Sequence, residues 1–196
     1  MPKAGKAPSD RPAFQPYRGK PAVRNSKVYV IIHDSTDVLV CGGGNVGGKR
    51  GKAPKERQGS HLPGGTYTGD ALAGAKRELG EETGFGWDDL GVTETTTISP
   101  PQLSDFGVQF RKVKVSNVKQ LVEDFKRPSV VNPRDEPFTT VKALPIENCW
   151  AAENGFSAAY GTDWFADGLQ AAFHDYKPVK TVIGTQNSGT QNKSVA

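Results

Sequence analysis

Three glutamates near the middle of the chain have a spacing that suits a metal site. Glu78, Glu81 and Glu82 stand at positions i, i+3 and i+4, so on a helix they share one face. Like charges at this spacing weaken a helix by roughly 0.2–0.5 kcal/mol per pair. A hard divalent cation would offset the repulsion, because Mg²⁺ prefers the oxygens of carboxylates and of substrate phosphates. The spacing therefore predicts a Mg²⁺ site, with Mn²⁺ as an alternative; the competing interpretation is a solvated acidic face without a metal.

The residues around the glutamates predict the helix that must carry them. Asp70 is a good N-cap, residues 71–83 are expected to be helical, and Gly84 fits the C′ position that ends a helix. The apolar stripe is predicted to consist of Leu72, Ala75 and Leu79. Arg77 precedes Glu81 by four residues, a spacing that permits a salt bridge.

The remaining pattern is mixed α and β. Strands are predicted at residues 28–32, 38–41, 92–98, 107–115 and 138–144, the first two as a hairpin, and helices at 117–125 and 163–174. Residues 42–60 are rich in Gly and Lys and are expected to form a loop. The expected fold class is α/β.

Charge and composition divide the chain into a core and two tails. The net charge is +4, but residues 1–27 carry seven basic side chains against one acidic one, and residues 49–57 carry five against one. We expect a disordered basic arm at 1–25, one domain at 26–183 and a disordered polar tail at 184–196. The two cationic segments suit a polyanionic substrate, and the competing interpretation is that they are solvated.

The expected cellular compartment is inferred from segments that the sequence does not contain. No apolar run approaches about 20 residues and the N-terminus has no apolar signal region, so a cytoplasmic protein without membrane contact is expected. Cys41 and Cys149 have no metal-ligand spacing and are expected to be reduced.

The segment Arg77-Glu78-Leu79-Gly80-Glu81-Glu82-Thr83-Gly84-Phe85, with His61-Leu62-Pro63-Gly64-Gly65 upstream, resembles the signature of the Nudix hydrolases. The second half of the signature matches at every fixed position. The resemblance implies an α/β/α sandwich with a mixed β-sheet, a helix carrying the signature and a C-terminal helix. It also implies an enzyme that uses Mg²⁺ and water to hydrolyse the pyrophosphate bond of a nucleoside diphosphate linked to another group.

The resemblance assigns roles to residues of this chain. It implies that Glu78, Arg77 and Glu82 are catalytic, with Arg77 orienting a glutamate. Glu78, Glu81, Glu82 and Gly65 would hold the metal, and Gly64 would let the backbone pass close to the phosphates. The general base is left open between Glu78 and a loop residue.

The first half of the signature departs from the family pattern. Eleven residues separate Gly65 from Arg77, two fewer than in the family, and the usual glutamate is absent. A deletion before the helix, with Asp70 taking over the capping, is the simplest explanation. It leaves the metal face intact and changes the loop that faces the phosphates.

Substrate choice depends on residues outside the signature. Pro100 lies fifteen residues beyond Phe85, a distance that resembles a marker of the ADP-ribose pyrophosphatase branch; the alternative is a turn that ends a strand. Tyr67 is the best candidate to stack on a base. Lys49 and Arg50 belong to a segment that is either a cationic lid over a polyphosphate or plain disorder.

The sequence is compatible with four functions. The favoured one is hydrolysis of ADP-ribose or a dinucleotide. The others are pyrophosphohydrolysis of damaged nucleoside triphosphates, nucleotide binding with weak catalysis, and processing or binding of RNA through the basic arm. A homodimer is compatible with the sequence.

Overall fold

A computed structural model describes residues 26–46, 55–130, 137–156 and 164–178 of the 196-residue chain. The predicted basic arm and polar tail lie outside these residues, as do Lys49 and Arg50. The strands are β1 Lys27–His33, β2 Asp37–Gly42, β3 Asn45–Val46, β4 Lys55–Glu56, β5 Gly64–Thr66, β6 Glu94–Ile98, β7 Val108–Lys114 and β8 Thr140–Pro145. The α-helices are α1 Ala71–Thr83, α2 Val118–Asp124 and α3 Trp164–Ala172, and short 3₁₀ helices span Pro101–Phe106, Ile146–Asn148 and Ala152–Asn154.

Six of the strands form one mixed sheet around β1. The order is β6-β7-β1-β2-β8, with β5 also paired to β1. The pairing of β1 with β7 is parallel and runs the whole length of both strands, from Lys27↔Val108 to His33↔Lys114. The other edge of β1 is divided, because β5 pairs antiparallel with its first residues and β2 with its last. β3 and β4 form a separate antiparallel pair.

The turn between β1 and β2 is fixed by the carboxylate of Asp34. One oxygen accepts hydrogen bonds from the backbone nitrogens of Thr36 at 2.9 Å and Asp37 at 2.8 Å. The other accepts from the nitrogen of Val118 at 2.8 Å, at the start of α2. These bonds to the charged form lower the pKa of Asp34 although its partial burial opposes the shift. One aspartate therefore ties the central hairpin to a helix.

Hydrophobic side chains cover both faces of the sheet, as the alternation along β1 requires. Tyr29 and Ile31 face the cluster that contains Phe165 and Leu169 of α3. Val28, Val30 and Ile32 face the cluster that contains Ala75 and Leu79 of α1. The sheet thus lies between α3 on one side and α1 on the other, and the glutamate-bearing helix belongs to the second face.

Most of the predicted elements are confirmed, including the α/β fold class, the hairpin of β1 and β2, and the two helices α2 and α3 on either side of β8 in the chain. Cys41 and Cys149 are both buried and free. The prediction that 42–60 is only a loop is wrong, because β3 and β4 lie within it. Leu72 is only partly buried, and the buried positions of α1 are Ala71, Gly74, Ala75, Leu79 and Thr83. None of the described helices is long and apolar enough to cross a bilayer.

Candidate functional site

Local signals at both ends define the helix that carries the three glutamates. The carboxylate of Asp70 accepts hydrogen bonds from the nitrogens of Leu72 at 3.1 Å and Ala73 at 3.2 Å, as the capping prediction requires. At the other end Gly84 adopts φ 75°, and its nitrogen bonds to the carbonyl of Gly80 at 2.9 Å. Local contacts therefore define both ends of this helix.

Glu78 packs its carboxylate directly against the backbone of Gly65 in β5. A Cβ atom at position 65 would lie 2.6 Å from the Cδ atom of Glu78 and 2.7 Å from both of its carboxylate oxygens. Real Cβ atoms almost never come that close to another heavy atom. The absence of a side chain at Gly65 is thus what allows the carboxylate of Glu78 to lie beside the strand.

Arg77 connects two of the glutamates to the same strand. Its Nη2 atom donates to Oε1 of Glu78 at 2.5 Å and to the carbonyl of Thr66 at 3.1 Å. Its Nη1 atom donates to Oε2 of Glu81 at 2.7 Å, which confirms the salt bridge predicted from the spacing. The guanidinium holds Glu78 in place while it partly neutralises the charge of the helix face.

Glu82 is anchored at both carboxylate oxygens. Oε2 accepts a hydrogen bond from the nitrogen of Gly64 at 2.7 Å, and Oε1 lies 3.5 Å from Nη2 of Arg57. The side chain of Glu82 is 13% exposed and that of Arg57 is 3% exposed. Gly64 has φ +146°, a backbone conformation that favours glycine. Glu78 and Glu82 therefore both meet the Gly64–Gly65 segment of β5.

The surroundings of Glu78 raise the pKa of its carboxyl group. Burial raises the pKa of Glu78, the charge of Glu81 adds to that rise, and the hydrogen bond and charge of Arg77 oppose it. The pKa of Arg77 is raised in turn; burial acts against this shift, but the bonds and charges of Glu78 and Glu81 outweigh it. On this face of the helix Arg77 pairs with Glu78 and Glu81, and the side chains of Arg77 and Glu81 are 49% and 57% exposed.

The donors at this site suit a cation that needs few protein ligands. Among the described residues, no three His, Cys, Asp or Glu side chains are grouped so that they could hold a metal ion. Glu81 is bonded to Arg77 and its side chain is 57% exposed, so its assignment as a ligand stays a prediction. Mg²⁺ binds proteins through one or two carboxylates and keeps several waters, and the carboxylates of Glu78 and Glu82 beside the bare backbone of Gly65 fit that requirement.

Two other predicted site residues, Tyr67 and Pro100, lie outside the helix that carries the glutamates. Tyr67 follows β5, and its hydroxyl accepts a hydrogen bond from the side-chain nitrogen of Gln109 in β7. A Cβ at position 74 would clash with the Cβ atom of Tyr67, so Gly74 permits a close contact between Tyr67 and α1. Pro100 is buried where β6 turns into the 3₁₀ helix Pro101–Phe106. The substrate roles of Tyr67 and Pro100 remain predictions.

A cavity of about 500 Å³ lies on the opposite face of the sheet, near the end of α3. Its lining includes His33, Lys112, Phe173, His174 and Asp175. Several of its polar groups are bonded within the protein: Lys112 donates to the carbonyl of Ala172 at 2.7 Å, and His174 pairs with Asp175 at 2.8 Å. This cavity is separate from the helix face that carries the glutamates.

The sequence prediction missed Arg57 as a site residue and counted it with the exposed cations of residues 49–57. Instead its guanidinium is buried, donates to the carbonyl of Gly43 at 3.1 Å and lies 4.1 Å from the ring centre of Phe138. The sequence offers no signal that singles out Arg57, because Arg50 stands in the same basic segment.

No family model matches the chain, and no curated protein matches it either. Among solved structures, the chain is similar to a Nudix hydrolase from Nitrosomonas europaea, with 16% identity over 78% of this chain and 90% of that chain and a TM-score of 0.37. It is also similar to an Ap4A hydrolase of C. elegans, with 15% identity over 76% and 98% of the two chains and a TM-score of 0.41. The MutT protein of Methanosarcina mazei matches with 19% identity over 78% and 94% and a TM-score of 0.43.

Proposed function

We propose that this chain is a Nudix hydrolase that cleaves the pyrophosphate bond of a nucleoside diphosphate linked to another group, with Mg²⁺ as cofactor. The observation that carries the proposal is the contact of two glutamates with one strand. Glu78 and Glu82 lie one turn apart on α1, and their carboxylates meet the adjacent residues Gly65 and Gly64. This is the geometry expected of carboxylates that share a cation with a phosphate above a bare backbone.

The signature residues act together in this proposal. Arg77 fixes the carboxylate of Glu78, and Glu78 and Glu82 with the backbone of Gly65 would hold the cation. When bound, the cation would neutralise charge on the pyrophosphate and lower the pKa of a coordinated water. Glu78 is the favoured general base, because Arg77 fixes its carboxylate beside Gly65 and burial raises its pKa, which makes the carboxylate a stronger base.

Support for the substrate class comes from residues outside the helix. The position of Pro100 relative to the signature resembles a marker of the ADP-ribose pyrophosphatase branch, and this resemblance favours ADP-ribose. Tyr67 directly follows β5, and its ring is the best candidate to contact a base. The basic residues Lys49 and Arg50 would attract the polyanionic part of such a substrate.

The test is a product analysis with two matched variants. The protein is incubated with Mg²⁺ and, in turn, ADP-ribose, NADH, diadenosine polyphosphates, nucleoside triphosphates and capped RNA. Release of AMP from ADP-ribose or a dinucleotide supports the proposal. Glu78→Gln is expected to lower kcat by about 10²–10⁴-fold, whereas Glu123→Gln, at an exposed position of α2, is expected to leave it unchanged.

Other outcomes favour the competing functions. Pyrophosphate released from nucleoside triphosphates indicates the housecleaning reaction. Tight nucleotide binding without turnover indicates a sensor. RNA binding that falls steeply with salt and is lost when residues 1–25 are deleted indicates an RNA-binding protein. Equal turnover by the wild type and Glu78→Gln contradicts the assigned site.

A further inference from the structure

Arg57 is a buried cation outside the signature that contacts the catalytic helix. It directly follows β4, in a segment where the neighbouring Lys55 and Glu56 are exposed, yet its own side chain is 3% exposed. A buried charge is costly unless it is paired and hydrogen-bonded. Among the described residues, its partners include Oε1 of Glu82 at 3.5 Å and the carbonyl of Gly43 at 3.1 Å.

Arg57, Phe138 and Glu82 form a closed set of contacts, in which each residue contacts the other two. The guanidinium of Arg57 stacks on the ring of Phe138, with 4.1 Å between Cζ and the ring centre. The nitrogen of Phe138 donates to the backbone carbonyl of Glu82 at 2.8 Å. The side chain of Glu82 returns to Arg57, so three segments that are distant in the sequence fix one another at the end of α1.

This arrangement determines where the carboxylate of Glu82 points. Gly64 binds one oxygen through its backbone nitrogen, and Arg57 approaches the other, so rotation about the last bond of the side chain is restricted from both sides. A lysine could not reproduce the contact, because the planar fork of arginine bonds two acceptors at once and stacks on an aromatic ring. In this structure Nη1 of Arg57 donates to the carbonyl of Gly43, and Nη2 donates to Oε1 of Glu82.

We propose that Arg57 is a positioning residue, which presents the carboxylate of Glu82 to the cation at the Gly64–Gly65 strand. The proposal rests on the hydrolase function given above. Arg57 acts through Glu82, because it is covered by Phe138 and has almost no exposed surface with which to contact a substrate. Substitution is therefore expected to weaken cation binding and lower kcat, with little change in KM.

The experiment compares Arg57→Met and Arg57→Lys with Lys55→Met. Lys55→Met removes a positive charge two residues away at an exposed position, and so controls for the charge of the segment. Mn²⁺ affinity is measured from the paramagnetic resonance signal of the free ion, and kcat and KM are measured on the best substrate. Cooperative urea unfolding identifies the variants that are folded.

Arg57→Met is expected to raise the Kd for Mn²⁺ and to lower kcat by about 10–100-fold, with KM within about twofold of the wild type. Arg57→Lys keeps the charge and the stem, so it is expected to fold even if the methionine variant does not, and to lose at least threefold in Mn²⁺ affinity. Lys55→Met is expected to match the wild type.

The results separate this proposal from the proposed function. Wild-type Mn²⁺ affinity and kcat in a folded Arg57→Lys or Arg57→Met variant overturn the positioning role. A raised KM with unchanged kcat and Mn²⁺ affinity also overturns it, because Arg57 would then contact the substrate. If the wild type neither binds Mn²⁺ nor turns over any substrate, the hydrolase function itself is wrong, and the positioning role is wrong with it.

Discussion

Replacement of Gly65 by alanine is expected to displace the carboxylate of Glu78 while it leaves the stability of the fold nearly unchanged. The new Cβ would lie 2.6–2.7 Å from the carboxylate atoms, whereas ordinary contacts begin near 3.4 Å. The carboxylate must therefore move by about 0.7–0.8 Å, or the strand must shift. A misplacement of this size in a catalytic site costs on the order of 10²-fold in rate.

The same substitution is expected to change stability very little. The clash is with the far end of a flexible side chain, and Gly65 is not among the described glycines with positive φ. Alanine also restricts the unfolded chain, which is worth about 0.4–1 kcal/mol in favour of folding. Gly80→Ala is the matched control, because a Cβ at that helical position meets nothing within 4 Å.

The assay measures kcat, the Mg²⁺ concentration for half-maximal activity and the urea midpoint of both variants. Gly65→Ala is expected to lose about 10²-fold in kcat and to need more Mg²⁺, with a midpoint near that of the wild type. Gly80→Ala is expected to keep its activity and gain about 0.5–1 kcal/mol. Wild-type kcat and Mg²⁺ dependence in Gly65→Ala would refute the view that Glu78 must lie beside the strand.

Three further substitutions test other contacts, each by chemical denaturation. Gly64→Ala is expected to destabilise the protein by about 1–3 kcal/mol, because φ is +146° and the new Cβ would fall 2.6 Å from Cα of Tyr29; an unchanged midpoint contradicts this. Asp70→Ala, which removes the helix cap, is expected to cost about 0.5–2 kcal/mol, and Asp70→Asn much less. Burial lowers the pKa of His33 to about 4 in the folded protein, so His33 binds a proton more tightly in the unfolded chain than in the folded one. The stability that neutral His33 contributes is present above pH 6.5 and is lost as the pH falls towards 4, by up to about 1.4 kcal/mol per pH unit. His33→Gln should therefore give a shallower acid profile than the wild type, and equal slopes would contradict the buried, neutral state of His33.

Residues that interact over one helical turn were predictable from the sequence. The Asp70 cap, the Gly84 terminus and the bond of Arg77 to Glu81 each depend on a spacing of one to four residues. The resemblance to the Nudix signature added the orienting role of Arg77, which agrees with its bond to Glu78. The cap, the terminus and the bond of Arg77 to Glu81 are local, because capping residues stand at the helix ends and residues four apart are neighbours on the helix surface.

Contacts between distant segments were not predictable in the same way. Arg57 and Glu82 are separated by 25 positions, and nothing local distinguishes Arg57 from the cations around it. Leu72 was assigned to the apolar stripe by its hydrophobicity, but the buried positions of α1 include the small residues Ala71 and Gly74 and not Leu72. The Cβ atom of Tyr67 lies against Gly74, and this contact depends on the path of the chain after β5.

The parallel pairing of β1 with β7 has a consequence for how the chain folds during synthesis. Each residue of β1 pairs with a residue of β7 that is made about 80 positions later. Five consecutive apolar residues of β1, Val28 to Ile32, therefore lack the partner strand β7 until residues 108–114 have been translated. A non-local parallel pairing of this kind is slow to form and exposes a strand that can associate with other chains.

The glycine strand β5 is made much earlier than β7 and can occupy part of the other edge of β1. The hairpin with β2 is available earlier still. The β7 edge of β1 is therefore the edge of this strand whose partner is synthesised last.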